Sequence, residues 1–410
     1  MERVRIVAYS STTPDIRKIL TQIYFSISLI LSASGFLLRL KRFHKVLIIA
    51  MVIVVAAVGW LIWDTLPKGA SRGVEVVADG LSVPWALAFA PNGDLYFTER
   101  GGRVSVLRGE TIQVLAELPV ETTAEGGLLG IALSPRFQPE PDIYLYYTYR
   151  DSTGLWNRVV KTREGSRNLA PEVIVIDKIP AGSIHDGGRI KFGPDGKLYV
   201  TCGEGGVGDR AQDPSSLGGK ILRLNGDGSI PADNPLDDSP VWSLGHRNPQ
   251  GLAWSESGVL YASEHGPSGE RGAFAHDEVN LITPGSNYGW PIIAGYSDDV
   301  NYLSPLYSTE SETWAPSGCT FVTSDRYPGW KGGLLVACLR GKGVRLIKLN
   351  TAGDQVESVA TILTNYGRVR EVVEGPDGYI YFTTSNRDGR GVPLSDDDKI
   401  LRIASLDGIG

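Results

Sequence analysis

One unit recurs six times along this chain, and it leaves few folds open. Each copy is a strand, a turn rich in Gly, Pro and Asp, and a second strand rich in Tyr, Val and Thr. Four copies are close: "LAFAPNGDLYFTER" from Leu87, "IKFGPDGKLYVTCGE" from Ile190, "LAWSESGVLYASEHG" from Leu252 and "VVEGPDGYIYFTTSN" from Val372. Two looser ones fit between them, "IALSPRFQPEPDIYLYYTY" from Ile131 and "CTFVTSDRYPGWKGGLLVACLRG" from Cys319. β-Branched and aromatic residues suit a pleated, packed surface, and Pro, Asp and Gly supply the turn. A separation of very roughly 40 to 70 residues suits one unit per propeller blade. A two-sheet sandwich is the competing all-β arrangement, but it does not require a repeat. The repeats predict an all-β fold, a six-bladed β-propeller over residues 73–406. In it "VEVVA" (Val74 to Ala78) pairs beside "KILRIAS" (Lys399 to Ser405) to close the ring. The 50 glycines and 17 tyrosines among 410 residues agree with that class.

Upstream of the repeats the chain changes character. "VLIIAMVIVVAAVGWLIW", Val46 to Trp63, carries no charge and is long enough to cross a bilayer. Arg39, Lys41, Arg42 and Lys45 precede it and Asp64 follows, so the positive-inside rule puts everything after residue 64 outside. A buried core helix is the competing reading, and no small-x-small cleavage site follows that would mark a removed signal peptide. "ILTQIYFSISLILSASGFLL" (Ile19 to Leu38) reads as a second span diluted by polar residues. The expected organisation is therefore an N-terminal segment (1–18), membrane segments within 19–63 with 46–63 as the transmembrane anchor, a linker (64–72) and the propeller. Residues 1–72 hold ten of the 40 Lys/Arg but only three of the 46 Asp/Glu. The body is thus acidic, which argues against a nucleic-acid partner.

The repeat also sorts the loops. In an antiparallel meander the entry to the first strand and the exit from the second lie at the same end of the blade. The entries include Glu125-Gly126-Gly127, His185-Asp186-Gly187-Gly188-Arg189, His246-Arg247-Asn248 and Arg368-Val369-Arg370. The exits include Glu99-Arg100, Gly203-Glu204, Glu264-His265-Gly266-Pro267 and Arg340-Gly341-Lys342. Three of the propeller's histidines and most of its unusual arginines therefore share one face, around the mouth of the central channel.

Arg247, Arg340, Arg368 and Arg370 on an acidic body suit a ligand with more than one carboxylate, because guanidinium forks grip carboxylates bidentately. Pairing with rim acids is the alternative for each. His185 stands at a strand entry beside glycines that leave space above it, where a neutral imidazole serves as a base. A structural histidine fits those residue types equally well. Asp186 follows in sequence, but neighbours on an extended chain point to opposite sides, so it is not expected to orient the ring. "EHGPSGERGAFAHDEVN" (Glu264 to Asn280) offers carbonyls and acids to Ca²⁺ without the spacing of a calcium loop. Cys202, Cys319 and Cys338 suit neither a zinc site nor a disulfide-dense scaffold. A turn centred near Pro328-Gly329 would set Cys319 directly opposite Cys338, close enough for a disulfide; two separate core thiols are the alternative.

At these residues the chain resembles a known family. "GLSVPWALAF", "EGGLLGIALSP", "HDGGRIKFGPDGKLYVT", "GHRNPQGLAW", "EHGP", "NLITPGSNYGWP", "APSG" and "GRVREVVEGPDG" fall in the order seen in pyrroloquinoline quinone (PQQ)-dependent aldose sugar dehydrogenases. That family includes soluble glucose dehydrogenase and the glucose/sorbosone dehydrogenases. The resemblance spans about residues 73–406 and implies oxidation of an aldose at C1 to the lactone. It implies that His185 is the base for the anomeric hydroxyl proton, and that Glu125, Arg247, Asn248, His265, Arg340, Arg368 and Arg370 bind PQQ. The main-chain carbonyls of Gly266 and Pro267 would hold Ca²⁺. An external electron acceptor is implied, and the membrane anchor would bring the enzyme near it.

Arg340 stands where some members have lysine, and Glu125 and His265 where some have glutamine. Glu125 would put an acid beside an anionic cofactor. A non-catalytic propeller binding module and a calcium-dependent propeller lactonase are the other readings. The first predicts erosion of the His and Arg set, and the second needs a metal held by side-chain carboxylates at the channel.

Overall fold

The tyrosine repeated in "LYF", "LYV", "LYA" and "IYF" shows how the blades are joined. In the structure, a computed structural model describing residues 73–165 and 168–409, this tyrosine meets an aromatic ring of a neighbouring blade edge to face. Tyr199 meets Trp254 with ring centroids 5.1 Å apart, Tyr261 meets Phe321 at 5.2 Å, and Tyr381 meets Phe89 at 4.9 Å. Tyr144 does the same with Phe192 at 5.0 Å, and Tyr96 with Phe137 at 5.3 Å. The repeat is thus a packing unit: five of the six copies supply a ring that the next blade packs against, and blade 5, with Leu334–Cys338, does not.

The described residues form six four-stranded antiparallel sheets. The innermost strands are Pro84–Phe89, Leu128–Leu133, Ile190–Phe192, Pro249–Trp254, Pro316–Phe321 and Val369–Glu374, opening blades 1 to 6 in that order. The second strands Leu95–Glu99, Leu198–Cys202, Leu260–Glu264, Leu334–Cys338 and Ile380–Thr384 are buried at every position, because each sheet is covered on both faces. Their polar residues are therefore buried too, and two of them stitch blades together. Thr98 Oγ1 donates to the Leu129 carbonyl at 2.6 Å, and Ser263 Oγ to the Ser317 carbonyl at 2.5 Å. Val74–Ala78 pairs with Ile400–Ile403, so the first and last strands of the propeller share blade 6 and close the ring as expected.

One register expectation is corrected. The blade 5 hairpin pairs Cys319 with Val336, Thr320 with Leu335 and Phe321 with Leu334, a register centred between Tyr327 and Pro328 rather than at Pro328-Gly329, and a bulge beyond Cys319 then sets Pro316 against Cys338. Cys319 and Cys338 are not opposed, and all three cysteines are free and buried. The membrane segments within 19–63, the N-terminal segment and the linker lie outside the described residues. Among those described, no helix is long and apolar enough to cross a membrane.

Candidate active site

The ring brings the strand-entry and strand-exit loops to one mouth, and His185 is where they meet. Its φ of 63° lies in the left-handed region, and Gly187 and Gly188 follow at 64° and 99°. A Cβ at Gly187 would come within 2.6 Å of the Thr201 carbonyl, so this tight entry requires glycine. The kinked backbone turns the buried His185 ring onto a carboxylate from the adjacent strand's exit. Its Nδ1 lies 2.7 Å from Glu204 Oε1 and 2.9 Å from Oε2. A carboxylate accepts only, so Nδ1 carries the proton and Nε2 presents its lone pair. Asp186, as expected, does not orient the ring: its Oδ1 takes the Gly182 N–H and the Asn157 amide, each at 3.1 Å.

Blade 4 repeats the arrangement for a different purpose. His246 Nδ1 lies 2.8 Å from Glu264, its Nε2 lies 2.8 Å from Ser243 Oγ, and its ring stacks on Tyr288. With both nitrogens engaged and no exposure, His246 is a structural histidine. Glu204 had no role in the sequence reading. The signal for it was the glutamate at the second-strand exit in blades 1, 3 and 4, at Glu99, Glu204 and Glu264.

Two spaces open along the His185-Asp186-Gly187 entry, the first bordered by His185 and the second by Asp186 and Gly187. A cleft of about 340 Å³ is bordered by His185, Glu204, Asp209, Glu270, Trp290 and Pro291. A narrower and more enclosed polar space of about 10 Å³, the deep cavity, is bordered by Glu125, His265, Arg368, Arg370 and, unforeseen, Arg100, Asp388 and Arg390. Asp388 organises the arginine pair: Arg368 grips its Oδ2 at 2.9 and 2.7 Å, and Arg370 lies 3.6 Å from it. Arg370 also donates to Ser385 Oγ and Gln250 Oε1, each at 3.2 Å, and burial pushes its pKa down to about 9. It therefore stays charged at neutral pH. Burial also works on Asp388, but Arg370 and Arg368 outweigh it and keep its carboxyl below the usual range.

Glu125 resolves the puzzle of an acid in an anion pocket. Its Oε1 pairs with Arg390 at 2.9 Å, and its Oε2 takes the His185 main-chain N–H at 2.8 Å. Burial opposes its ionisation, but the imidazoles of His265 and His185, that N–H and Arg390 bring its pKa to about 2. Burial pushes His265 itself down to about 3, so at neutral pH it is uncharged, and the N–H and Arg390 hold the carboxylate. Glu125 thus brings its own counter-charge.

Arg247 is buried, donates to the His265 carbonyl at 3.2 Å and meets Glu270 at 2.5 Å; Glu270 in turn lies 4.0 Å from His185 Nε2. Asn248 is fully buried, with Oδ1 accepting the Gly187 N–H at 3.0 Å. Gly266 is locked between blade elements: its N–H reaches Asp277 at 2.8 Å, and a Cβ there would overlap the Ala275 and His276 carbonyls. Gly266 and Pro267 border a small space with Arg247 and His265. Arg340 is the outlier. Its main-chain N–H bonds the Trp314 carbonyl, its side chain is exposed, and Leu339 rather than Arg340 borders the deep cavity.

The deep cavity has the donor set for a polyanionic acceptor-rich ligand. Its four arginines exceed the carboxylates paired with them, and the buried Nε2 of His265 has no partner among the described residues; nor does Nε of Arg247, which borders the small space beside it. Among those residues no three His, Cys, Asp or Glu side chains group as a metal site, the feature a carboxylate-held lactonase metal would require.

Residues 81–401 match the family model for glucose/sorbosone dehydrogenases. The chain is 34% identical over 354 residues to the aldose sugar dehydrogenase YliI of Escherichia coli, covering 80% of this chain and 93% of that one. It is similar to the structure of a putative oxidoreductase (glucose dehydrogenase) from Thermus thermophilus, with 47% identity, TM-score 0.75, and 81% and 99% of the two chains covered. It is also similar to the PQQ-bound aldose sugar dehydrogenase of Streptomyces coelicolor, with 38% identity, TM-score 0.72, and 81% and 99% covered.

Proposed function

The chain belongs to the glucose/sorbosone dehydrogenase family, as a quinoprotein oxidoreductase of the PQQ-dependent aldose sugar dehydrogenase type, and from that premise we propose how its residues act. The reading is oxidation of an aldose at C1 to the lactone. The observation that carries it is the His185–Glu204 pair bordering an open cleft, with the next residues, Asp186 and Gly187, bordering an arginine-rich cavity.

When bound, PQQ supplies a quinone that accepts hydride from the sugar carbon. Arg368 and Arg370 would hold its carboxylates, with Arg247, Asn248, Glu125 and His265 around the rest, and Arg340, exposed on the rim, would take part only from outside the cavity. The carbonyls of Gly266 and Pro267 are hard oxygen ligands that would suit Ca²⁺, whose charge would polarise the bound cofactor. His185 Nε2 takes the anomeric hydroxyl proton, and Glu204 holds Nδ1–H and stabilises the imidazolium that forms. The indole of Trp290 offers the sugar's apolar face a surface within the cleft.

For the location, Val46 to Trp63 with its basic flank supports a membrane anchor and an extracytoplasmic propeller that passes electrons to an external acceptor. Reconstitution tests the chemistry: purified apoprotein with PQQ and Ca²⁺ should oxidise an aldose with an artificial acceptor, and neither addition alone should suffice. Absence of turnover across common aldoses would refute it. Membrane fractionation with protease protection tests the location, and a propeller cleaved only from the cytoplasmic side would overturn it.

A further inference from the structure

Arg100, Arg368, Arg370 and Arg390 all border the deep cavity. Three of them stand beside carboxylates, Arg368 and Arg370 on Asp388 and Arg390 on Glu125. Arg100 does not. Its guanidinium donates to two main-chain carbonyls, Ala124 at 3.1 Å and Asp388 at 3.4 Å, and among the described residues it forms no ion pair within 4.0 Å. A carbonyl orients a guanidinium but does not neutralise it.

The backbone around Arg100 is fixed as well. Its N–H donates to the Val83 carbonyl at 3.1 Å and its own carbonyl accepts the Leu128 N–H at 2.9 Å, clamping it between blades 1 and 2. Gly127 passes so close that a Cβ there would lie 2.8 Å from Arg100 Cγ. The side chain is therefore aimed before any ligand arrives, which lowers the ordering cost of using it. The cavity's four guanidinium groups face Glu125, Asp388 and Asp186, and burial pushes the last to about 7. Positive charge is left over, and Arg100 is where it stands.

We propose that Arg100 is a further cofactor-binding residue, whose guanidinium takes a carboxylate of PQQ from the side of blade 1. This rests on the quinoprotein reading above. The competing role is a staple, in which the two carbonyl bonds merely tie the Ala124 and Asp388 loops together. The two roles differ in what replaces the side chain: charge is needed for the first, donors alone for the second.

The test is titration of apoprotein with PQQ, followed by absorbance or calorimetry, for the wild type, Arg100→Ala, Arg100→Lys and Arg100→Gln. Melting temperatures of the apoproteins are measured alongside. The expected result is a Kd raised about tenfold or more in R100A and R100Q, with R100K recovering much of the affinity. R100Q that binds PQQ like the wild type, or R100A within about twofold of it, overturns the proposal. Failure of the wild type to bind PQQ overturns both this and the reading beneath it, whereas wild-type binding with an insensitive R100A removes Arg100 alone.

Discussion

Arg189 on blade 3 and Glu371 on blade 6 form a fully buried ion pair across the central channel. Blades 3 and 6 stand opposite in a ring of six, so the pair spans the channel. Arg189 Nε donates to the Gln250 carbonyl at 2.9 Å, and its guanidinium lies 4.3 Å over the Trp85 ring. Blades 1, 3, 4 and 6 are thereby tied at one point. Trp85 and Gln250, which Arg189 touches, also border the arginine-lined cavity.

Removing one partner should unfold the protein at markedly lower temperature, because the other charge is left buried. Glu371→Gln is expected to cost about 3 to 5 kcal/mol, whereas Arg189→Met with Glu371→Leu should recover part of the loss. Thermal and urea unfolding of the two variants check this. A single variant as stable as the wild type would show that the pair does not hold the channel.

His185→Gln should leave PQQ binding nearly intact and lower turnover by about two orders of magnitude or more. Glu204→Gln should lower turnover less, since Nε2 remains but the ring loses its orienting charge. Single-turnover kinetics in fully loaded enzyme separate the two. Near-normal turnover in H185Q removes His185 from the proton transfer.

Arg368→Ala combined with Arg370→Ala should weaken PQQ binding far more than sugar binding. The double variant also strands Asp388, which then adds an unpaired negative charge to an anion site. Titration with PQQ at low and high salt measures the loss. An unchanged Kd would place the cofactor elsewhere.

Burial, assisted by Glu125, raises Asp186 from 3.8 to about 7, against the Gly182 N–H and the Asn157 amide. Between those two values the folded state keeps a proton that the unfolded chain has released, so rising pH favours unfolding there. The Asp186 contribution is thus present at low pH and lost as pH climbs to about 7. Asp186→Asn keeps the Oδ1 acceptor but cannot titrate, so its melting temperature should gain on the wild type from pH 5 to 7 and run parallel above. A difference independent of pH in melting scans would contradict the shift.

The repeats alone carried the ring, its closure by Val74–Ala78 and the face on which His185, Arg247, Arg368 and Arg370 gather. These follow from local pattern, because strand, turn and strand recur and antiparallel pairing dictates which loops share an end. What the repeats do not encode is which side chains of those loops meet. Glu204 beside His185, Asp388 between Arg368 and Arg370, and Arg390 on Glu125 each depend on how one loop folds against another. The register that sets Cys319 against Val336 and not Cys338 depends on where the hairpin turns, between Tyr327 and Pro328, and an alternating pattern does not fix that point to the residue. Arg189 and Glu371 are 182 residues apart and meet only because six blades close a circle. Sequence periodicity determined the blade and its orientation; which charges neutralise one another was decided only by the ring, since pairing depends on distance in space and not along the chain.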